Sequence, residues 1–546
     1  MRLPWGTACL IMVLMCASAR TQQLSESVLT SDDELWEALQ EGVITYDQYL
    51  VLREIIENGL DSTNRHLLDE IPNLFYLFKT DSMRIDPIEQ EQVSGFRSVE
   101  IKKAQSPRIR GQVGHRYTMF LDNEQRTWYR SRADLSVENR WRFRLQAIRE
   151  RGGAERVVSR SVGYRNRTGL VRRIEVGSFT TRFGLGTLFG HRGQILDASS
   201  NINAESWSYP SYGGYNGLLA ELRSGGWEIR SLASLTRDSS HRMFTAGLMI
   251  ERAVGKIRPG LVVGQVNLVN RGSGVSVEIP MASALVYYDY RTGYAAGELS
   301  HQGSETSATS VVLEGRHRFE TAELRYAAWR YDDDFVDLTA GSKSAVLSEP
   351  DTLAAVAFSY RSRRVGQRGG LVKTTIEPSG RMAFSNSLLR AENTRDASRQ
   401  QFFSGLAYNL SPDWQWRLAY LGDWRHDPGT APADRSDHQL RLETRYTTAR
   451  VRAKCYIGVD VDGRDSDHAV LFVSARYVMT DGSAYEIWSN LGEIDTDGLQ
   501  YWYAFARGSW PLGSYLTAAA KLSNSYRRDG PDSNATQMSL ELNATL

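Results

Sequence analysis

The chain of 546 residues is short of cysteine, lysine and long apolar runs. Of its three cysteines, Cys9 and Cys16 fall within the first 19 residues. If that segment is removed, Cys455 is left alone and no intramolecular disulfide can form, which excludes the disulfide frameworks of small extracellular domains. After residue 19 no stretch approaches 18 consecutive apolar residues, which excludes a transmembrane helix. Lysine supplies only 8 of the 65 cationic residues, a bias that a GC-rich genome also produces. Those 65 stand against 64 acidic residues, and a formal charge of +1 lends no support to a nucleic-acid or polyanion binder. Disorder is excluded by what is present, 46 Gly with 26 Tyr and 13 Trp at ordinary charge.

The first 19 residues read as a secretory signal peptide. Arg2 supplies the positive start, Ala8 to Met15 are almost all apolar, and Ala17-Ser18-Ala19 places small residues at the cleavage site. A lipoprotein reading through Cys16 is weaker, because Val13-Leu14-Met15 lacks small residues. An exported chain without a disulfide framework suits a bacterial envelope. If it resides in a membrane, it must do so as a closed barrel, the other fold that satisfies every backbone group in lipid.

Residues 20–112 are expected to form a periplasmic α-helical head and linker. Ser31-Asp32-Asp33-Glu34 opens a helix that leaves at Gly42, Thr45 opens a second that closes at Asn58-Gly59, and Ser62 caps a third that Pro72 stops. Three short helices cannot build a large core of their own. From residue 113 to 546 the period changes to two. Leu440, Leu442, Thr444 and Tyr446 alternate with Arg441, Glu443 and Arg445, and Trp141, Phe143 and Leu145 alternate with Arg142 and Arg144. One apolar and one charged face, each about ten residues long, is the signature of a transmembrane strand.

The connections carry further information. Short turns such as Ser411-Pro412-Asp413, Thr447-Thr448-Ala449 and Thr480 to Ser483 alternate with longer segments such as Arg425 to Asp437, Asp460 to Asp467 and Gly492 to Leu499. Outer-membrane barrels have short periplasmic turns and longer external loops. At roughly 18 residues per strand and connection, the 434 residues from 113 to 546 give about 24 strands. The fold class is therefore all-β, a large antiparallel transmembrane barrel of about 22–26 strands with a small helical head. The last strand, with Met538, Leu540, Leu542, Ala544 and Leu546 on one face, resembles the C-terminal signal that bacterial barrels present to their assembly machinery, although that signal usually ends in an aromatic residue.

No catalytic set is legible. Neither G-x-S-x-G nor H-E-x-x-H occurs, and His426-Asp427-Pro428 lies in a loop without a nucleophile motif. The charged strand faces nominate a lumen lining: Arg130, Arg132, Arg140, Arg142, Arg144, Glu323, Arg325, Arg441, Glu443, Arg445, Arg450, Arg452 and Lys454. Cross-strand ladders of opposite charge would keep a wide lumen wet. Asp460, Asp462, Asp465 and Asp467 have the oxygen spacing that Ca²⁺ favours, without the trailing glutamate of a full calcium loop. No other cofactor is expected.

The run Leu60-Asp61-Ser62-Thr63-Asn64 to Leu67-Leu68-Asp69-Glu70-Ile71-Pro72 resembles the opening of helix-hairpin-helix segments in competence-type DNA-uptake proteins. Heads of this kind also stand before outer-membrane barrels of unknown role in some Gram-negative lineages. Val176-Gly177-Ser178-Phe179, then Arg182-Phe183-Gly184-Leu185-Gly186 and Gly190, resemble a glycine-rich strand of such barrels. The departure falls in the DNA-binding part. The turn after Pro72 reads Asn73-Leu74-Phe75-Tyr76 without either glycine, and no Lys/Arg cluster follows to meet phosphates.

These features lead to a non-enzymatic channel or translocation pore of the bacterial outer membrane, with unknown cargo. The lumen would be occluded by the head or by the segment from His191 to Asn216. A non-transporting surface or scaffold protein that binds a partner through its loops is the alternative, and a DNA-uptake component is a third reading. Expected partners are outer-membrane lipid and the barrel-assembly machinery; nucleic acid is not favoured.

Overall fold

In the computed structural model the alternating pattern closes on itself. The structure describes residues 109–545 apart from several short connections and residues 191–194, 197–214, 340–343, 346–350 and 356–357. The signal, the helices read at residues 31–75 and the resemblance they carry lie outside the described residues. Twenty-four strands form one antiparallel sheet, each paired with its sequence neighbours. The first strand, Ile109–Phe120, begins four residues ahead of the expected 113. It pairs antiparallel with the last strand, Asn534–Thr545, from Gln112 opposite Thr545 to Phe120 opposite Gln537. That pairing removes both sheet edges, and with them every unpaired ladder group that lipid could not satisfy.

With an even number of strands, both ends of the barrel sequence emerge at one rim, the terminal rim. Connections there are short: Ser224–Trp227 turns through Gly225-Gly226, and Tyr290–Gly293 through two residues. Both long connections, 180–214 and 332–367, leave from the opposite rim. The expected short–long alternation does not hold throughout. Gly492 to Leu499, read as a longer loop, is nearly all strand, because Ala484–Asp495 and Gly498–Pro511 are joined by only residues 496 and 497.

The two wall faces have different chemistry. Leu145, Leu261, Leu313, Leu442 and Leu542 point outward and are about half exposed. A continuous apolar outer surface of this extent is a membrane surface, and a closed barrel so clad is the construction of a bacterial outer-membrane protein. The buried hydrophobic core lies inside. Leu219, Leu232, Met249, Val262, Val266, Met281, Leu285, Val312 and Trp329 face inward on the strands between residues 215 and 331, and they pack with Phe183, Leu185, Leu188, Phe189, Phe335 and Leu338 from the two long connections. The core therefore sits between one sector of the wall and chain that folds back into the lumen.

Candidate functional site

The lumen has two sectors. One is a charged wall. Arg142 makes a two-pronged pair with Asp134, Nε to Oδ1 at 2.8 Å and Nη2 to Oδ2 at 2.5 Å. Glu175 accepts from Arg144 and from Arg173, the latter at 2.6 Å, and Arg173 also reaches Glu221 at 3.3 Å. Glu323 collects Arg316 at 2.5 Å, Arg318 at 3.1 Å and Arg325. Arg399 is buried against Asp423 at 2.6 Å, and Arg425 joins the same carboxylate at 2.6 Å. Glu443 pairs with Arg445 and with Lys454 at 3.3 Å. Glu541 of the last strand closes the ring with Arg116 at 2.7 Å and Arg507 at 3.5 Å. The more open of these pairs sit on a polar lumen wall and need not enter a dry interior, whereas Arg399–Asp423 and Arg173–Glu175 are buried and bear that cost, offset by their paired hydrogen bonds.

Most of the expected lining residues belong to this wall. Arg142, Arg144, Glu323, Arg325, Glu443, Arg445 and Lys454 take part in the pairs above, and Arg441 donates to Gln439 at 3.0 Å with its guanidinium 5.4 Å from the Tyr456 ring. Arg452 shares the Lys454 face of its strand, Val451–Asp462. Arg130 and Arg132 occupy register positions opposite Arg116 and Gly114. Arg140 and Arg450 lie one residue before the strands that open at Trp141 and Val451, at the terminal rim.

The acidic set spans the end of one strand, a connection and the start of the next. Asp460 and Asp462 belong to the strand Val451–Asp462, opposite His468 and Asp437, and Asp467 opens the next strand, while Asp465 lies outside the described residues. Among the described residues no group of three or more His, Cys, Asp or Glu side chains could hold a metal ion.

The second sector is the folded-back strap. Val171–Phe179 is a strand, but the glycine-rich run after it is not: residues 181–190 turn inward instead. Phe183, Leu185, Leu188 and Phe189 are buried there to 1 % exposure or less. Gly184 has a positive φ of 59°, and a Cβ on it would stand 3.0 Å from the Glu298 carboxylate. That carboxylate is the strap's anchor. It accepts from the Leu185 N–H at 2.7 Å, the Thr187 hydroxyl at 2.5 Å and the Ser283 hydroxyl at 2.7 Å. Ser300 closes the group through its contact with the Thr187 hydroxyl.

A second segment locks onto the first. The Gly190 N–H donates to the Thr339 carbonyl at 2.8 Å, and the Thr339 hydroxyl returns a bond to the Leu188 carbonyl at 2.6 Å. Gln302 on the wall pairs its amide with both backbone groups of Val336, each at 2.9 Å. Asp332 accepts from the Thr309 N–H at 2.9 Å and its hydroxyl at 2.5 Å. Farther out, Ile195–Leu196 and Ser344–Ala345 form a short parallel pair between the two connections. Gly247 and Gly264 on the wall form the seat of Phe189, since a Cβ on them would come within 2.9 and 2.4 Å of its ring.

No protein-family model matches the chain, and no curated protein matches it. Among solved structures, the chain is similar to the siderophore receptor PirA of Pseudomonas aeruginosa, with 9 % identity, 81 % of this chain and 80 % of that chain covered, and a TM-score of 0.48. It is similar to the P pilus usher PapC translocation pore, with 7 % identity, 80 % and 99 % covered, and a TM-score of 0.38. For the FrpB iron transporter of Neisseria meningitidis the values are 11 %, 84 % and 84 %, and 0.38. The likeness is one of fold.

Proposed function

We propose that this protein is an outer-membrane channel or translocation pore whose lumen is narrowed along one sector by the strap. The carrying observation is the mismatch between the enclosed section and what fills it. Twenty-four strands spaced by about 4.8 Å and tilted by about 40° enclose a section roughly 45–50 Å across. Wall side chains cannot span that distance, and among the described residues the core that holds the strap lies against the strands between residues 215 and 331 and reaches Leu389 and Ala391. The opposite sector is lined by ion pairs suited to water. Arg142, Arg144, Arg441, Arg445, Arg452 and Lys454 set the field of this passage, with Arg130 and Arg132 added by register. The terminal rim faces the periplasm, where the head reaches it directly. Lipid surrounds the apolar wall, and the assembly machinery receives the strand Asn534–Thr545.

Planar-bilayer recording of the purified protein tests the reading. A pore conducts, and deletion of residues 31–75 raises the conductance if the head occludes it. Absence of conductance in both proteins would assign the barrel to a scaffold that binds through its loops. Tight, steeply salt-dependent binding of double-stranded DNA by the full-length protein, lost on that deletion, would instead place it in DNA uptake.

A further inference from the structure

The outward face should be apolar along its whole middle, because a lipid-facing cation is costly at the membrane midplane and tolerated only at the interface. Outward-facing charges in the described strands lie mostly near the strand ends, with Arg160, opposite the outward Leu145, a mid-strand exception. One group stands out at the rim opposite the termini. Arg330 lies one residue before the end of Ala322–Tyr331, Arg368 opens Arg368–Ser379, and Arg390 lies two residues before the end of Met382–Glu392. Arg330 is directly opposite Arg368, and Arg390 is opposite Gly370, the next outward position below Arg368. The three guanidinium-bearing positions therefore form a compact triangle on three adjacent strands. All three side chains are exposed. Glu392 is the carboxylate ion-paired within the triangle, 2.5 Å from Arg368; Asp332 and Asp333 lie just beyond it at the rim, where Thr309 and Thr394 donate to them.

The level of this triangle follows from its neighbours. Arg390 shares a cross-strand row with Gln400 and Trp424, whose indole also faces outward. Trp marks the membrane–water boundary in barrels. Leu388, one outward position below Arg390, and Val372, one below Gly370, are exposed apolar residues, as is Val311 beside Arg330. Apolar wall thus runs directly up to the cations, which lie within about 7 Å of the strand ends. They belong to the headgroup layer, and among the described residues only Arg368 of the three has an ion-pair partner, which leaves the Arg330 and Arg390 guanidinium groups to meet an anion.

We propose that Arg330, Arg368 and Arg390 form a docking site for the phosphorylated sugar headgroup of an outer-leaflet glycolipid. Guanidinium forks match phosphate oxygens in pairs, and three on one triangle fit a headgroup that carries more than one phosphate. The assignment to the outer leaflet rests on the orientation given under Proposed function; the cationic site itself does not depend on it.

The test uses full-length protein in detergent with a bis-phosphorylated glucosamine-disaccharide glycolipid, its dephosphorylated form and inorganic phosphate, read by native mass spectrometry with and without EDTA. The wild type should retain the phosphorylated glycolipid, and the R330Q/R368Q/R390Q variant should bind it at least about tenfold more weakly while keeping heat-modifiable migration. The R172Q/R252Q variant, altered at the terminal rim, should bind as wild type. Equal retention of the dephosphorylated glycolipid, or wild-type retention by the triple variant, would overturn the proposal. Competition by millimolar inorganic phosphate alone would show an unspecific anion site and overturn it as well. Reactivity of Ser273→Cys toward an impermeant maleimide on intact cells reports orientation separately, so failure of the orientation and failure of the site are distinguishable.

Discussion

Removing the Glu298 carboxylate should release the strap without opening the barrel. Glu298→Ala leaves three donors without their acceptor: the Leu185 N–H, the Thr187 hydroxyl and the Ser283 hydroxyl. Each stranded donor costs about 1–3 kcal/mol, and water entering the vacated space recovers part of it. A net loss of about 3–5 kcal/mol follows, which multiplies the equilibrium constant for undocking by roughly 150 to 4,000. Glu298→Gln should do less. Its carbonyl can serve Leu185 while the two hydroxyls turn to accept from its NH₂, so the loss is chiefly the charge assistance, about 1 kcal/mol or roughly fivefold. Hydrogen exchange reads this directly, because the protection of the Leu185 and Gly190 amides follows the opening equilibrium. Exchange at those amides should accelerate in the order wild type, Gln, Ala, with wall-strand protection unchanged. In planar bilayers the Ala variant should show larger or more frequent openings. If the Leu185 and Gly190 amides stay as protected in Glu298→Ala as in wild type, the carboxylate does not anchor the strap.

Three further outcomes follow from the geometry. Gly247→Ala places a methyl within 3.0 Å of the Phe189 ring and 3.3 Å of Phe183, so it should unseat the strap at a cost of about 1–3 kcal/mol, again seen as faster exchange over residues 183–190. In a Cys455→Ser background, Ser273→Cys in an exposed turn at the far rim should react with an impermeant maleimide on intact cells, whereas Lys256→Cys at the terminal rim should stay protected; the reverse pattern would invert the barrel. Deleting residues 534–546 removes the partner of Ile109–Phe120 and the Glu541 pairs with Arg116 and Arg507, so heat-modifiable migration should be lost, and normal insertion would show that the barrel closes elsewhere.

The barrel was legible because lipid and water impose opposite demands on successive residues. Leu440, Leu442 and Tyr446 could alternate with Arg441, Glu443 and Arg445 over such a length only if one face met lipid and the other a wet lumen, and the register confirms that division. The strand number near 24 followed from a membrane-set repeat length. Turn boundaries were less secure, since a charge at a strand's first residue and one in the preceding turn look alike, as Arg140 and Arg450 show. Partners were not legible at all. Glu175 meets Arg144 across 31 residues and Glu541 meets Arg116 across 425, separations that only closure of the sheet determines.

The strap had left a trace in the same pattern. In a strand between lipid and water, apolar residues should occupy one parity only. Between residues 215 and 331 they occupy both: Leu218 with Leu219, Leu261 with Val262 and Val263, Leu285 with Val286, and Val311 with Val312 and Leu313. Strands apolar on both faces are covered on both faces. Lipid covers the outward members, which are exposed, and the inward ones need protein. In a barrel too wide for its own walls to meet, that protein must be a connection folded back into the lumen, and Phe183-Gly184-Leu185-Gly186 with Leu188-Phe189 was the apolar connection at hand. Its glycines then read differently: Gly184 lets the backbone lie against Glu298, and Gly247 and Gly264 across the wall leave room for Phe189.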